Sequence, residues 1–196
     1  NETFCQESSW MLEAKNKAIA IGREPISISP YEGKILKTLA KLRGCRSALE
    51  LGTLTGYSAF WIAEGLGGTN MSSSMTMSTP TLTTIEMDPE LAKWTKNLFE
   101  RWNLENKTQI SVICGDAEVE MSKLAQTFDF IFMDADRGNY ELYWPFIKNF
   151  LHEKSLVVID NAFMEKRSMH AFMEKLSVDT SIVTHLHPMD HGLLLV

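Results

Sequence analysis

Apolar and polar positions change period along this chain, and the change falls at Ser47. After it, short β-rich runs alternate with longer stretches in which apolar residues recur at helical spacing. SALEL (47–51), TLTTIE (81–86), QISVIC (109–114), FDFIFM (128–133) and SLVVI (155–159) are predicted strands, separated by segments long enough for crossover helices. In DPELAKWTKNLFERWNL, Leu91, Trp94, Thr95 and Leu98 follow helical spacing after an Asp-Pro start. Repeated strand–helix units of this kind predict a mostly parallel sheet covered on both faces. SIVTHL (181–186) and GLLLV (192–196) are predicted strands too. Only HPMDH separates them, too little for a crossover helix, so an antiparallel hairpin is expected at the sheet's end.

Before Ser47 the pattern is helical: SSWMLEAKNKAIAIG (8–22), a Pro-marked turn REPISISP (23–30), then YEGKILKTLAKLRG (31–44) with a glycine stop. The chain of 196 residues, 44% hydrophobic, is long enough for one domain with a full core. The fold class expected is α/β: a doubly wound, seven-stranded, mostly parallel sheet over 47–196, with a helical segment (1–46) over the mouth of the sheet or at a subunit contact. GGTNMSSSMTMSTP (67–80) has no periodicity and reads as a mobile loop, long for a compact domain.

Charge and cysteine usage narrow the partner. A net charge of −6 argues against nucleic acid, whose phosphates call for a basic surface, and leaves a small molecule as the expected partner. The three cysteines, Cys5, Cys45 and Cys114, are scattered and form no CxxC pair, so the expectation is reduced thiols in a cytoplasmic protein. No apolar run reaches eighteen residues and no basic n-region precedes a short apolar one, so neither a membrane span nor a signal peptide is expected. His185, His187 and His191 lack a completing cysteine or carboxylate and are not read as a zinc set. Trp94, Phe99 and Trp102, at helical spacing, are expected to pack against the sheet.

The candidate chemistry gathers where strands stop. ALELGTLTGYS carries Glu50, Gly52 and Gly56 through a strand-to-helix turn. It is either an ordinary turn or one whose glycines admit a ligand to the backbone and to the free N–H groups of a helix start. The spacing is not G-x-G-x-x-G, so a ligand without a pyrophosphate fits better than a dinucleotide. Glu86 is either a solvated strand end or an acceptor for both hydroxyls of a ribose. Asp116 either caps the next helix or, with Ala117, meets an adenine edge. FDFIFMDADRGNY and VVIDNAF place Asp134, Asp136, Asp160 and Asn161 at adjacent strand ends. Asp134 and Asp160 either cap helices or join Asn161 in a set of oxygen donors suited to a hard cation such as Mg²⁺ or Ca²⁺.

Together LELGTLTGYS, TIEMDP, GDA, FIFMDADRGNY, VVIDN and HPMDHGLLL, in that order over roughly residues 26–196, resemble the cation-dependent O-methyltransferases that use S-adenosylmethionine, the group of caffeoyl-CoA and catechol O-methyltransferases. The resemblance implies a Rossmann-like class I methyltransferase fold and a homodimer. It also implies methyl transfer from S-adenosylmethionine to a metal-bound hydroxyl of a small, catechol-like hydroxylated aromatic acceptor. By the same resemblance Glu50, Gly52, Thr53 and Ser58 surround the methionine part of the donor, Glu86 the ribose, and Asp116 with Ala117 the adenine. Gly56, Met87 and Asp134 complete the donor site. Asp134, Asp160 and Asn161 would hold a divalent cation, Mg²⁺ first and Ca²⁺ or Mn²⁺ next. Ile26 and Asp136 fall on the acceptor side, with ISISPYEG (26–33) lining the pocket, and Asp134 and Arg137 are the catalytic candidates.

A free phenol is ionised to only about one part in a thousand at pH 7, roughly 4 kcal/mol uphill, which a dication beside two vicinal oxygens would offset. Three departures from the family pattern stand out. Arg137 replaces a lysine and, staying protonated, suits orientation better than base catalysis. LHEKSL replaces a Gly-Gly before the fifth strand, and the segment after IDN is short. The first and third of these also admit a donor-binding relative with weak or lost turnover.

Overall fold

The computed structural model describes residues 5–23, 26–67, 78–163 and 167–196, apart from the side chains of Arg137 and Arg167. The loop predicted at 67–80 therefore lies, over 68–77, outside the described residues. The described residues form one seven-stranded sheet: β1 (Ser47–Leu51), β2 (Thr81–Glu86), β3 (Gln109–Cys114), β4 (Phe130–Met133), β5 (Leu156–Ile159), β6 (His185–His187) and β7 (Leu193–Leu195). Their order is β3-β2-β1-β4-β5-β7-β6. The first five strands run parallel, and β7 is antiparallel to both β5 and β6. This is the expected class I methyltransferase topology.

Helices cover both faces because the central strands have no polar side to offer: all four residues of β4 are buried. On one face lie α1 (Ser9–Ala20), α2 (Pro30–Arg43), α3 (Tyr57–Gly65) and α4 (Pro89–Glu105), and on the other α5 (Ala117–Met121), α6 (Tyr140–Asn149) and α7 (Arg167–Ser177). The sequence YSAFWIAEG lacks a polar stripe, and α3 is accordingly buried at every position but Glu64, whose carboxylate meets Lys37 Nζ of α2 at 2.6 Å. Phe60 of α3 anchors this core, with ring centroids 5.6 Å from Phe99 and 5.1 Å from Trp102, so those two residues pack as expected. Trp94 is only partly buried and lies under Lys17 Nζ at 5.6 Å.

α2 starts in a capping box. Ser29 Oγ accepts from Glu32 N at 3.2 Å, and Ser29 N donates to Glu32 Oε2 at 2.8 Å, with Pro30 in the first turn and Gly44 closing the helix at φ 68°. Close contact with α3 is possible because position 33 has no side chain: a Cβ there would collide with the Trp61 indole. Gly33→Ala is expected to destabilise the fold by about 1–3 kcal/mol through overpacking, read as a lower urea midpoint at unchanged slope. An unchanged midpoint would contradict this packing.

Four strands begin later than predicted, β7 by the single residue Gly192. Phe128 N donates to Phe150 O at 2.9 Å and so leaves the ladder before β4 begins. β6 starts at His185 instead of Ser181, because Asp179 draws the chain into a turn, accepting from Ser181 N at 2.9 Å. β5 loses only Ser155, whose hydroxyl donates to Phe128 O.

Candidate active site

The chain reverses the direction of sheet growth between β1 and β4, and ligands of open α/β sheets bind outside the carboxyl ends at that point. A cleft of about 310 Å³ opens there. Gly52 (φ 93°) leaves β1 so close to β4 that a Cβ would collide with the Asp134 carbonyl oxygen, and Gly56 (φ 81°) starts α3 against the Phe99 ring. Between them Leu54 adopts φ 51°, a conformation few leucines take.

Glu50 lies behind this turn with no exposed surface, and Ser58 Oγ donates to its Oε1 at 2.5 Å. Burial raises the Glu50 carboxyl from 4.5 to about 7, against the Ser58 and Thr84 hydroxyls, which hold it down. The folded chain therefore binds more protons than the unfolded chain between pH 4.5 and 7, and this part of its stability is lost as pH rises through that window. Glu50→Gln is expected to flatten the decline by about 1–3 kcal/mol, measured by urea denaturation at pH 5 and 7.5. A decline as steep as that of the parent chain would contradict the burial argument.

Glu86 ends β2 facing the turn. Its Oε2 accepts from Leu54 N at 2.7 Å and its Oε1 from Asp88 N at 2.8 Å, so one carboxylate fixes both the glycine turn and the start of α4. Each oxygen keeps a further lone pair for a ligand hydroxyl. Thr53 Oγ1 lies 2.6 Å from Thr84 Oγ1. Met87 is 72% exposed beside Glu86. Asp116 caps α5, accepting from Glu118 N at 3.0 Å and Val119 N at 3.2 Å, with Ala117 buried behind it.

β4 and β5 pair with Met133 opposite Ile159, which brings Asp134 beside Asp160. Asn161 (φ 65°) joins them: its Nδ2 donates to Asp134 Oδ1 at 3.2 Å and to Asp160 Oδ2 at 2.8 Å, and its N–H to Asp160 Oδ1 at 2.6 Å. Asp160 and Asn161 are buried. Glu32, also buried, is raised to about 7 by desolvation, with the charges of Asp160 and Asp190 adding to the shift. Asp136 is exposed and accepts from Gly138 N at 3.0 Å at the head of the short helix Arg137–Asn139. The Arg137 side chain, a catalytic candidate from the sequence, lies outside the described residues.

Gly52, Thr53, Ser58, Glu86, Asp134 and Asp136 thus line one cleft, together with Ile26 from the segment before α2. Glu50, Gly56, Met87, Asp116, Ala117, Asp160 and Asn161, also expected at the site, are not among the residues that line it. Ser27 and Ile28, from the segment ISISPYEG expected to line the acceptor pocket, are part of this lining, whereas Thr55 and Tyr57, which also line the cleft, were missed by sequence reasoning. Tyr57 Oη donates to Glu7 Oε1 at 2.7 Å, bringing Glu7, just ahead of α1, to the same place. The buried Ser27 and Thr55 hydroxyls have no hydrogen-bond partner among the described residues. Thr55 sits inside the glycine turn, where its position alone could have marked it.

The sheet order and the cleft at its reversal define a class I methyltransferase fold. The O-methyltransferase from Bacillus cereus, solved in complex with SAH, superposes with a TM-score of 0.82 at 24% identity over 96% of this chain and 90% of that one. The chain belongs to the O-methyltransferase family, whose model matches residues 1–189. The catechol O-methyltransferase of Niastella koreensis is 32% identical over 163 residues, covering 81% of this chain and 68% of that protein. The catechol O-methyltransferase of Mycobacterium tuberculosis is 29% identical over 137 residues, 69% of this chain and 57% of that protein. Among the described residues no helix is long and apolar enough to cross a membrane.

Proposed function

We propose that this chain moves the methyl group of S-adenosylmethionine to a hydroxyl of a small catechol-like acceptor, with a divalent cation, Mg²⁺ before Ca²⁺ or Mn²⁺, held by Asp134, Asp160 and Asn161. The observation that carries the reading is the convergence of two carboxylates on one carboxamide at adjacent strand ends, with Asp134 also lining the cleft. The Asn161 amino group, a partial positive charge between two carboxylates, stands in for a cation. Turning that carboxamide over would present its oxygen instead, which is favourable only with a positive charge between the three groups. Three oxygen donors with waters in the remaining positions suit Mg²⁺. The names of the relatives from Niastella koreensis and Mycobacterium tuberculosis support the acceptor class.

When bound, the cation would favour the ionised form of an acceptor hydroxyl that is otherwise almost wholly protonated at pH 7. The donor supplies a methyl group on a sulfonium. Everything else is positioning by the chain. Glu86, whose oxygens accept from Leu54 N and Asp88 N, would accept from the ribose hydroxyls with its remaining lone pairs. Ser58 and the backbone of Gly52 and Thr53 would border the methionine part, and Ala117 and Asp116 the adenine. Ile26 and Asp136 would flank the acceptor, and Arg137, as a guanidinium that stays protonated, would orient it rather than remove its proton.

The test is methylation of a catechol panel after EDTA treatment and after Mg²⁺ is restored. Activity is expected to vanish and return. Turnover indifferent to EDTA would reject the role given to Asp134, Asp160 and Asn161, and donor binding without methylation of any acceptor would reject the transfer itself.

A further inference from the structure

The turn between β6 and β7 bonds both to the segment before α2, which lines the cleft, and to the segment after β5, which follows the Asp160–Asn161 pair. On one side, Ser29 Oγ donates to Asp190 Oδ2 at 2.5 Å, between residues 161 positions apart. Ser29 is the N-cap of α2, and Ile26, Ser27 and Ile28, just before it, line the cleft with Asp134 and Asp136. On the other side, Ala162 N donates to Gly192 O at 2.9 Å and Phe163 N to His191 O at 2.7 Å. Ala162 and Phe163 follow Asp160 and Asn161 directly. The contact is close, because a Cβ on Gly192 would lie 2.5 Å from the Phe163 ring.

A second observation singles out the same turn. Among the described residues three that are not glycine have positive φ: Leu54, Asn161 and Asp190 (49°). Leu54 lies in the glycine turn and Asn161 in the carboxylate cluster. Such conformations persist where surrounding contacts over-determine them, and they gather at working sites. The third belongs to the turn that ties the cleft wall before α2 to the segment after β5.

We propose that Asp190 is a positioning residue for the acceptor. Through Ser29 it sets the wall formed by Ile26, Ser27 and Ile28 relative to the segment after β5, and so fixes how wide an aromatic hydroxyl compound the cleft admits. The proposal rests on the acceptor reading above. It gives the C-terminal hairpin a task in substrate choice, which the cation and donor sites do not need.

Asp190→Gly removes the acceptor oxygen while accommodating φ 49° without strain, and Asp190→Asn keeps both the acceptor and a tolerance for that conformation. Asp190→Gly is expected to raise the KM for catechol about three- to tenfold, with kcat and the affinity for S-adenosylhomocysteine within about twofold. Asp190→Asn should stay near the parent values. Ser29→Ala combined with Asp190→Gly should be no worse than the larger single effect, as two ends of one contact require. Hydrogen exchange at residues 26–33 should quicken in Asp190→Gly and not in Asp190→Asn. Equal KM in the two variants, a matching loss of donor affinity, or additive effects with Ser29→Ala would overturn the proposal. If the parent chain methylates no catechol, the acceptor reading fails by itself, and exchange then decides: unchanged rates at 26–33 in Asp190→Gly would overturn the coupling.

Discussion

Asp160→Ala should lower kcat/KM for a catechol by about 10²–10³-fold, the loss expected when a cation worth several kcal/mol of charge stabilisation is released. The affinity for S-adenosylhomocysteine should stay within about threefold, because the ribose and adenine contacts assigned to Glu86, Asp116 and Ala117 lie at the end of β2 and the start of α5, away from β5. Excess Mg²⁺ should recover part of the activity if the remaining donors, Asp134 and Asn161, still bind weakly. The split between the two readouts is what matters. Asp160 is buried and accepts from both nitrogens of Asn161, so its removal also loosens the local backbone. A general collapse of the site would lower donor affinity and activity together, and that outcome would mean the cluster is structural.

Glu86→Ala should show the opposite split. Its two oxygens hold Leu54 and Asp88 through backbone N–H groups, and a ribose would be held by the same carboxylate. Hydrogen bonds to a charged group contribute about 1.5–3 kcal/mol, so donor affinity should fall by roughly 10- to 150-fold, measured by calorimetry with S-adenosylhomocysteine. At saturating donor, kcat should fall far less than in Asp160→Ala, since Glu86 is assigned to the ribose and not to the reacting groups. Donor affinity within threefold of the parent would remove Glu86 from the binding site and leave it as a clasp for the turn.

Much of this was legible in the sequence for a physical reason: a parallel strand buried on both faces must be apolar, so a carboxylate or glycine at its carboxyl end is conspicuous. β1, β2 and β3 begin and end where their apolar runs do, and Glu86, Asp116, Asp134 and Asp160 each follow or close such a run. The register that sets Asp134 beside Asp160 follows once β4 and β5 are neighbours. The edge of the sheet was less legible. Val183 is 87% exposed, so the run SIVTHL was apolar without being buried, and β6 is correspondingly shorter. Contacts between distant segments were not legible at all. No period links Ser29 to Asp190 or Glu7 to Tyr57, since each pair is one exposed or half-buried hydrogen bond between otherwise unremarkable polar residues.

The most direct test of the central claim is a crystal structure with S-adenosylhomocysteine and Mn²⁺, using anomalous scattering to locate the metal. The account expects one anomalous peak between Asp134, Asp160 and Asn161, about 2.0–2.3 Å from one oxygen of each, with the Asn161 carboxamide turned so that its oxygen faces the ion. No peak at that place in crystals that hold S-adenosylhomocysteine, with the Asn161 amino group still donating to both carboxylates, would contradict it.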